Sequence, residues 1–138
     1  MEYRRIDASE MDELWELQKA YKAAIREDDP TDPDRERLAE AIREERIRFY
    51  GAWDGPVLAG CCSVTVGFST FNYAPSGVFE DFYICPQYRH QGAARELVRL
   101  ARADSGVCSL TVGCADCDKA MYQALGFSVP IGNLLAFP

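Results

Sequence analysis

The sequence predicts an α/β fold in a single domain spanning residues 1–138: a mixed sheet flanked by helices, with a central strand-helix-strand unit. Three observations carry this. Residues 47–53 and 57–68 are rich in β-formers and flank Asp54-Gly55-Pro56, a turn signal that makes them an antiparallel hairpin. Residues 78–112 read strand, helix, strand, and a crossover of that kind joins parallel strands with right-handed sense. At 138 residues and 48% apolar composition, the chain has material for one packed core and too little for two.

The elements follow in order. Residues 3–6 form a short opening strand, and Ser9-Glu-Met-Asp12 has capping-box spacing, so a helix starts there. Met11, Leu14, Trp15, Tyr21, Ala24 and Ile25 keep helical spacing along one face until the proline-bearing segment DDPTDP interrupts it. Asp32 with Pro33 caps a second helix, whose narrow buried stripe is Leu38, Ala41 and Ile42. After the hairpin, residues 69–77 read as a loop because of Asn72, Pro75 and Gly77, and residues 78–85 read as a strand ended by Pro86. A helix over 92–103 follows, with Gly106 placed to end it, and 107–112 returns to strand. Asp116 or Asp118 caps a last short helix through Leu125, Gly126 suits its C-terminal turn, and 133–137 reads as a final strand. There are no internal repeats.

Composition narrows the function. Twenty-two acids against fifteen bases give a net charge of -7, which disfavours nonspecific nucleic-acid binding and reads either as plain solubility or as a field favouring cationic partners. Acids cluster at Glu27-Asp28-Asp29 and again at Asp32 and Asp34, a local attraction for amines. No stretch reaches the roughly 18 apolar residues of a membrane span. The opening MEYRRIDASE is too charged for a signal peptide, so the expected setting is cytoplasmic, away from membranes. The six cysteines then read as reduced thiols. Cys114-Ala-Asp-Cys117 has the spacing of half a zinc site but lacks a second pair, so no metal is expected.

Chemistry gathers in three places. Arg89-His-Gln-Gly-Ala-Ala94 stands at a helix mouth, where unpaired amides carry positive partial charge and small residues let an anion approach; the same residues also suit ordinary packing on a sheet. In the preceding strand, Glu80 and Asp81 alternate onto opposite faces, with Glu80 sharing a face with Phe82 and Ile84. A carboxylate placed there without a paired cation has its pKa raised toward values useful for accepting a proton. Tyr122, on the last helix, is either a core aromatic or a phenol able to donate a proton.

Together these residues resemble a known family. Arg89-x-x-Gly92-x-Ala94 is similar to the R/Q-x-x-G-x-G/A acyl-CoA signature of the GNAT N-acetyltransferases, and Tyr122-x-x-x-Gly126-Phe127 resembles that family's C-terminal signature. Within the family, Ser69-Thr-Phe, Pro75 and Glu80-Asp-Phe-Tyr-Ile are similar to the polyamine and thialysine acetyltransferases. The resemblance implies acetyl-CoA as co-substrate and a small cationic amine as acceptor. Backbone groups of Phe82, Tyr83 and Ile84 would take the pantetheine arm, and amides from His90 through Gln91, Gly92, Ala93 and Ala94 would hold the pyrophosphate with Arg89 nearby. Glu80 would be the base, acting through water, and Tyr122 the acid for the CoA thiolate. Asp28, Asp29 and Asp81 would meet the other cationic groups of the acceptor. Two departures stand out: Ala115 occupies a position where the family often has asparagine, and only eleven residues follow Phe127. Aminoglycoside or protein amines, a non-catalytic acyl-CoA-binding module and a homodimer are compatible with the same pattern.

Overall fold

The central strands are buried in continuous runs because both faces of the sheet are covered, which splits the core in two. The computed structural model describes residues 1–138. The elements are β1 (Glu2–Ile6), α1 (Met11–Ala24), α2 (Asp32–Arg43), β2 (Ile47–Asp54), β3 (Val57–Ser69), β4 (Ala74–Ile84), α3 (Ala93–Asp104), β5 (Leu110–Thr111) and α4 (Lys119–Ala124). The strands form a five-stranded sheet in sequence order, antiparallel from β1 to β4 and parallel between β4 and β5.

On one face, Ile6, Phe49, Trp53 and Cys61 meet Met11, Leu14, Trp15 and Leu17 of α1 and Ile42 of α2. On the other, Tyr50, Ala52, Cys62, Val64 and Phe79 meet Ala93, Leu97 and Ala101 of α3. The α3 residues recur every fourth position, the spacing that keeps one stripe of a helix against a sheet. Each large side chain so buried contributes roughly 1.5–3 kcal/mol relative to exposure.

The hairpin, the parallel crossover and α3 form as the sequence predicts. Six details differ. The first helical segment is capped by Asp7, not Ser9: Ser9 N–H donates to Asp7 Oδ1 at 2.7 Å, while Asp7 N–H donates to Glu10 Oε1 at 3.2 Å. Asp32 lies inside α2, whose cap is Thr31, bonded reciprocally with Asp34. Ala24 and Ile25 are exposed rather than part of the buried stripe.

The expected loop over 69–77 is mostly strand. Only residues 70–73 turn, helped by Tyr73 at φ 51°, and Pro75 pairs with Phe68 in register. Pro75 is tolerated because its free group, the carbonyl, is the one used: it accepts from Cys108 N–H at 2.7 Å. Gly77 is required there, since a Cβ would stand 2.6 Å from Val64 Cγ1 and 3.1 Å from Val107 Cγ1, where β4 meets the approach to β5. Finally, β5 shrinks to Leu110–Thr111, and 133–137 forms no strand; Leu134 and Phe137 are 93% and 99% exposed, with no strand edge paired to them.

Candidate active site

Strand β4 organises the site because it loses its neighbour halfway along. Its parallel ladder with β5 covers only Gly77 with Leu110 and Val78 with Thr111, so from Phe79 to Ile84 one edge of β4 has no partner strand. Backbone groups of Phe82, Tyr83 and Ile84 lie on this stretch. One is engaged by the chain itself: Arg89 Nε donates to the Ile84 carbonyl at 2.8 Å, and its guanidinium lies 5.6 Å from the Tyr83 ring centroid.

The turn from β4 into α3 then presents its amides outward. Pro86–Tyr88 form a single 3-10 turn, His90 takes φ 62° and Gly92 takes φ 90°, the left-handed conformation that glycine accepts without a Cβ clash. Gly92 caps α3 without a side-chain bond, and the Gly92 carbonyl receives Glu96 N–H at 3.2 Å. The amides of Ala93, Ala94 and Arg95 precede that first helical bond. His90, Gln91 and Gly92 are exposed, while Ala93 is buried against the sheet and anchors the helix start. Tyr88 Oη donates to Asp54 Oδ2 at 2.9 Å and Gln91 Nε2 to the Gln87 carbonyl at 3.1 Å, which fix the loop.

The carboxylates do not sit as strand alternation predicts. Between Cys61 and Ser63 of β3 the register slips: Ser63 pairs with Glu80 and Cys61 with Tyr83, so β4 carries one extra residue. That residue is Asp81, at φ 51°. The bulge resets the alternation. Glu80 and Tyr83 face α1 while Phe79, Phe82 and Ile84 face α3, so Glu80 shares no face with Phe82 and Ile84. Asp81 turns to the same side as Glu80, its Oδ2 accepting the hydroxyl of fully buried Ser63 at 2.7 Å. Two consecutive carboxylates thereby stand together.

Their setting raises Glu80. Removal from water is the largest cause, the neighbouring Asp81 charge adds to it, and Lys22 pulls the other way. Glu80 remains exposed, so its removal from water is partial. Tyr21 of α1 lies on the same side of β4. Its ring packs on Tyr83 with centroids 6.3 Å apart, and its phenol is raised by burial and then by Asp81 and Glu80. In the sequence Tyr21 is one member of an apolar stripe; nothing in helical spacing separates a core ring from one that ends beside two carboxylates.

Tyr122 stands on the opposite side of β4. It packs in a group of four rings with Phe79, Phe82 and Phe127, at centroid distances of 6.4, 6.3 and 6.0 Å. Burial, then Tyr21, Asp118 and Cys114, push its phenol up to about 12, so it keeps its proton at neutral pH. The ring packs against the core as one sequence reading has it, and the phenol lies within electrostatic reach of the Tyr21 phenol.

Asp28 and Asp29 are placed apart from this centre. They are exposed on the connection between α1 and α2 and line a cleft of about 350 Å³ with Trp15, Gln18, Lys22, Asp34 and others; Glu80 is not in its wall. Gln18 is buried, and its Nε2 has no hydrogen-bond partner. Lys22 connects the two places, lining the cleft and acting on Glu80. Cys114 and Cys117 are free and exposed, and no cluster of three or more His, Cys, Asp or Glu side chains is set to hold a metal. No helix is long and apolar enough to cross a membrane.

Comparison with known proteins agrees with this architecture. The family model described as acetyltransferase (GNAT) family matches residues 11–127. No curated protein matches the sequence. Among solved structures, a probable acetyltransferase superposes with TM-score 0.87 at 18% identity, over 100% of this chain and 97% of that one. An aminoglycoside acetyltransferase from an uncultured soil metagenomic sample, in complex with sisomicin, gives 0.86 at 12% identity over 99% and 94%. Glucosamine-6-phosphate N-acetyltransferase from Arabidopsis thaliana gives 0.74 at 17% identity over 99% and 97%. At these identities the likeness is one of fold.

Proposed function

The chain belongs to the acetyltransferase (GNAT) family, and on that footing we propose that it transfers an acetyl group from acetyl-CoA to a primary amine of a small cationic acceptor. The observation that carries the acceptor class is the pairing of Glu80 with Asp81 on one side of the β4 bulge, joined through Lys22 to a separate cleft that bears Glu27, Asp28 and Asp29, with Asp34 there paired to Arg37. Such a surface draws in a polycation and repels a phosphate. Polyamine-like amines therefore lead. An aminoglycoside, the ligand class of one structural relative, is also polycationic and comes second. A phosphorylated amino sugar is disfavoured by the same charges.

The roles follow from position. The open edge of β4 at Phe82, Tyr83 and Ile84 suits an extended pantetheine chain, which takes backbone bonds as a strand would. The amides from His90 to Ala94, free of backbone partners, suit the pyrophosphate at the start of α3, with Arg89 adding a formal charge. Acetyl-CoA, when bound, supplies the activated thioester carbon. Glu80, with its raised pKa, receives through water the proton that an alkylammonium must lose before it attacks. Tyr122, protonated at neutral pH, gives its proton to the departing CoA sulfur. Asp81, Asp28 and Asp29 hold the remaining cationic groups of the acceptor. All of this lies within one domain, residues 1–138.

The test is a panel of polyamines, lysine analogues, aminoglycosides, phosphorylated amino sugars and peptides, assayed by thiol release from acetyl-CoA. Polyamines should give the highest kcat/KM. Preference for a phosphorylated amino sugar would overturn the acceptor assignment, and calorimetric CoA binding with no release on any amine would make the chain a binding module.

A further inference from the structure

Lys22 is a cation in an acidic place, and none of the roles above uses it. The chain has only three lysines, at 19, 22 and 119. Lys19, on the same helix, is tied to Glu16 at 2.7 Å. Lys22 makes no ion pair, although the cleft it lines carries Glu27, Asp28, Asp29 and Asp34. It is partly buried in the last turn of α1, with Nζ 5.6 Å from the centroid of the Tyr21 ring, within the range of a cation–π contact. That ring packs in turn on Tyr83 of β4, which shares the α1-facing side of the strand with Glu80.

A primary amine on a flexible stem, held over an aromatic ring on the wall that carries the base, has the chemistry and the placement of the acceptor. We propose that Lys22 is an internal acceptor and that the chain acetylates its own Lys22 Nζ, a modification site that rests on the acetyltransferase reading and its Glu80 and Tyr122 roles. Lys22 Nζ loses a proton to Glu80 and attacks the acetyl carbonyl. The nitrogen–carbon bond forms, the carbon–sulfur bond breaks, the sulfur leaves as CoA thiol with the proton of Tyr122, and the second proton shed by the nitrogen restores the phenol. The products are acetyl-Lys22, CoA thiol and one proton, with no further reactant. Tethering keeps this amine at an effective concentration on the order of millimolar, so it competes with dilute external acceptors.

The modification changes the site it occurs in. Acetylation removes the lysine charge. The only cation among the cleft residues goes, and with it the one influence that lowers Glu80. Glu80 then rises further and Glu27, Asp28 and Asp29 face no cation among the cleft residues, Asp34 alone keeping its pair with Arg37, so the acetylated chain takes cationic acceptors more tightly.

Incubation of the intact chain with acetyl-CoA and no added amine, followed by whole-protein mass and peptide mapping, tests this. The expected result is a gain of one acetyl group at Lys22, with Lys19 and Lys119 as internal controls, and labelling slowed roughly a hundredfold in Glu80→Gln. Equal labelling of all three lysines, or an unchanged rate in Glu80→Gln, marks spontaneous chemistry and overturns the proposal. An unlabelled Lys22 in a chain that releases CoA with external amines overturns self-acetylation alone. An unlabelled Lys22 with no release on any amine overturns the acetyltransferase roles as well.

Discussion

On its α1 side, β4 carries Glu80, Asp81 and Tyr83 against Tyr21 and Lys22; on its α3 side it carries Phe79 and Phe82 against Tyr122 and Phe127. The first side is charged and half open, and the second is aromatic and closed. Under the proposed roles, that difference puts the two proton tasks on opposite sides of one strand, Glu80 on β4 itself and Tyr122 on α4 against it. On the charged side, partial burial and a like charge lift a carboxyl toward neutrality; on the aromatic side, burial lifts a phenol to about 12 and keeps it an acid. The bulge at Asp81 is what makes the sides so unlike, because it gathers both carboxylates onto one of them.

The largest expected effect comes from removing either proton carrier. Glu80→Gln and Tyr122→Phe should each lower kcat by about two to four orders of magnitude while CoA affinity measured by calorimetry stays near the parent value. Parent-rate turnover in either variant on the preferred amine would remove that residue from the mechanism. Next, the sides should differ in what they hold together. Phe79 is 1% exposed at the centre of the ring group, so Phe79→Ala should cost about 3–5 kcal/mol in denaturant unfolding. Glu80→Gln should leave the unfolding midpoint nearly unchanged, and a large loss there would mean the charged side is structural too.

Smaller effects probe the bulge itself. Ser63→Ala deletes the hydroxyl that holds Asp81 and should cost about 1.5 kcal/mol, with KM for the amine rising more than KM for acetyl-CoA. A uniform fall in both would show the bulge is not selective. The smallest concerns pH. Since Lys22 lowers Glu80, Lys22→Met should move the acid limb of the kcat/KM profile upward, farther from the ordinary glutamate value of about 4.3. Activity depends on the ionised base, so the variant loses rate first on acidification. A limb that moves down would take Lys22 out of the field at Glu80.

Much of this was legible in the residues. Asp54-Gly55-Pro56 announced the hairpin, and the small residues after Arg89 announced the start of α3, because turn chemistry and helix mouths are local. Glu80 and Tyr122 were legible as candidates by type and place. The bulge was not: one extra residue between paired strands leaves no mark on composition, and the period-two rule then misassigns everything after it. Pro75 and Gly77 hid the start of β4 because both normally break strands, while here one offers its carbonyl and the other makes room for Val64. The apolar run at 133–137 suggested a strand that lacks a partner. Tyr21 looked like core because helical spacing records a face and not its neighbours.

The unpaired edge of β4 also bears on strand addition between chains. Bare strand edges invite other chains to add to them, and proteins usually guard them with charge, bulges or cover. Here the exposed ladder groups run only from Phe79 to Ile84, interrupted by the Asp81 bulge, flanked by Tyr122 on Phe82, and stopped by Arg89 on the last carbonyl. A foreign strand needs a straight run of partners and room for side chains on both faces. A thin chain without side chains needs neither, so an opening of this width suits the proposed pantetheine arm better than a foreign strand.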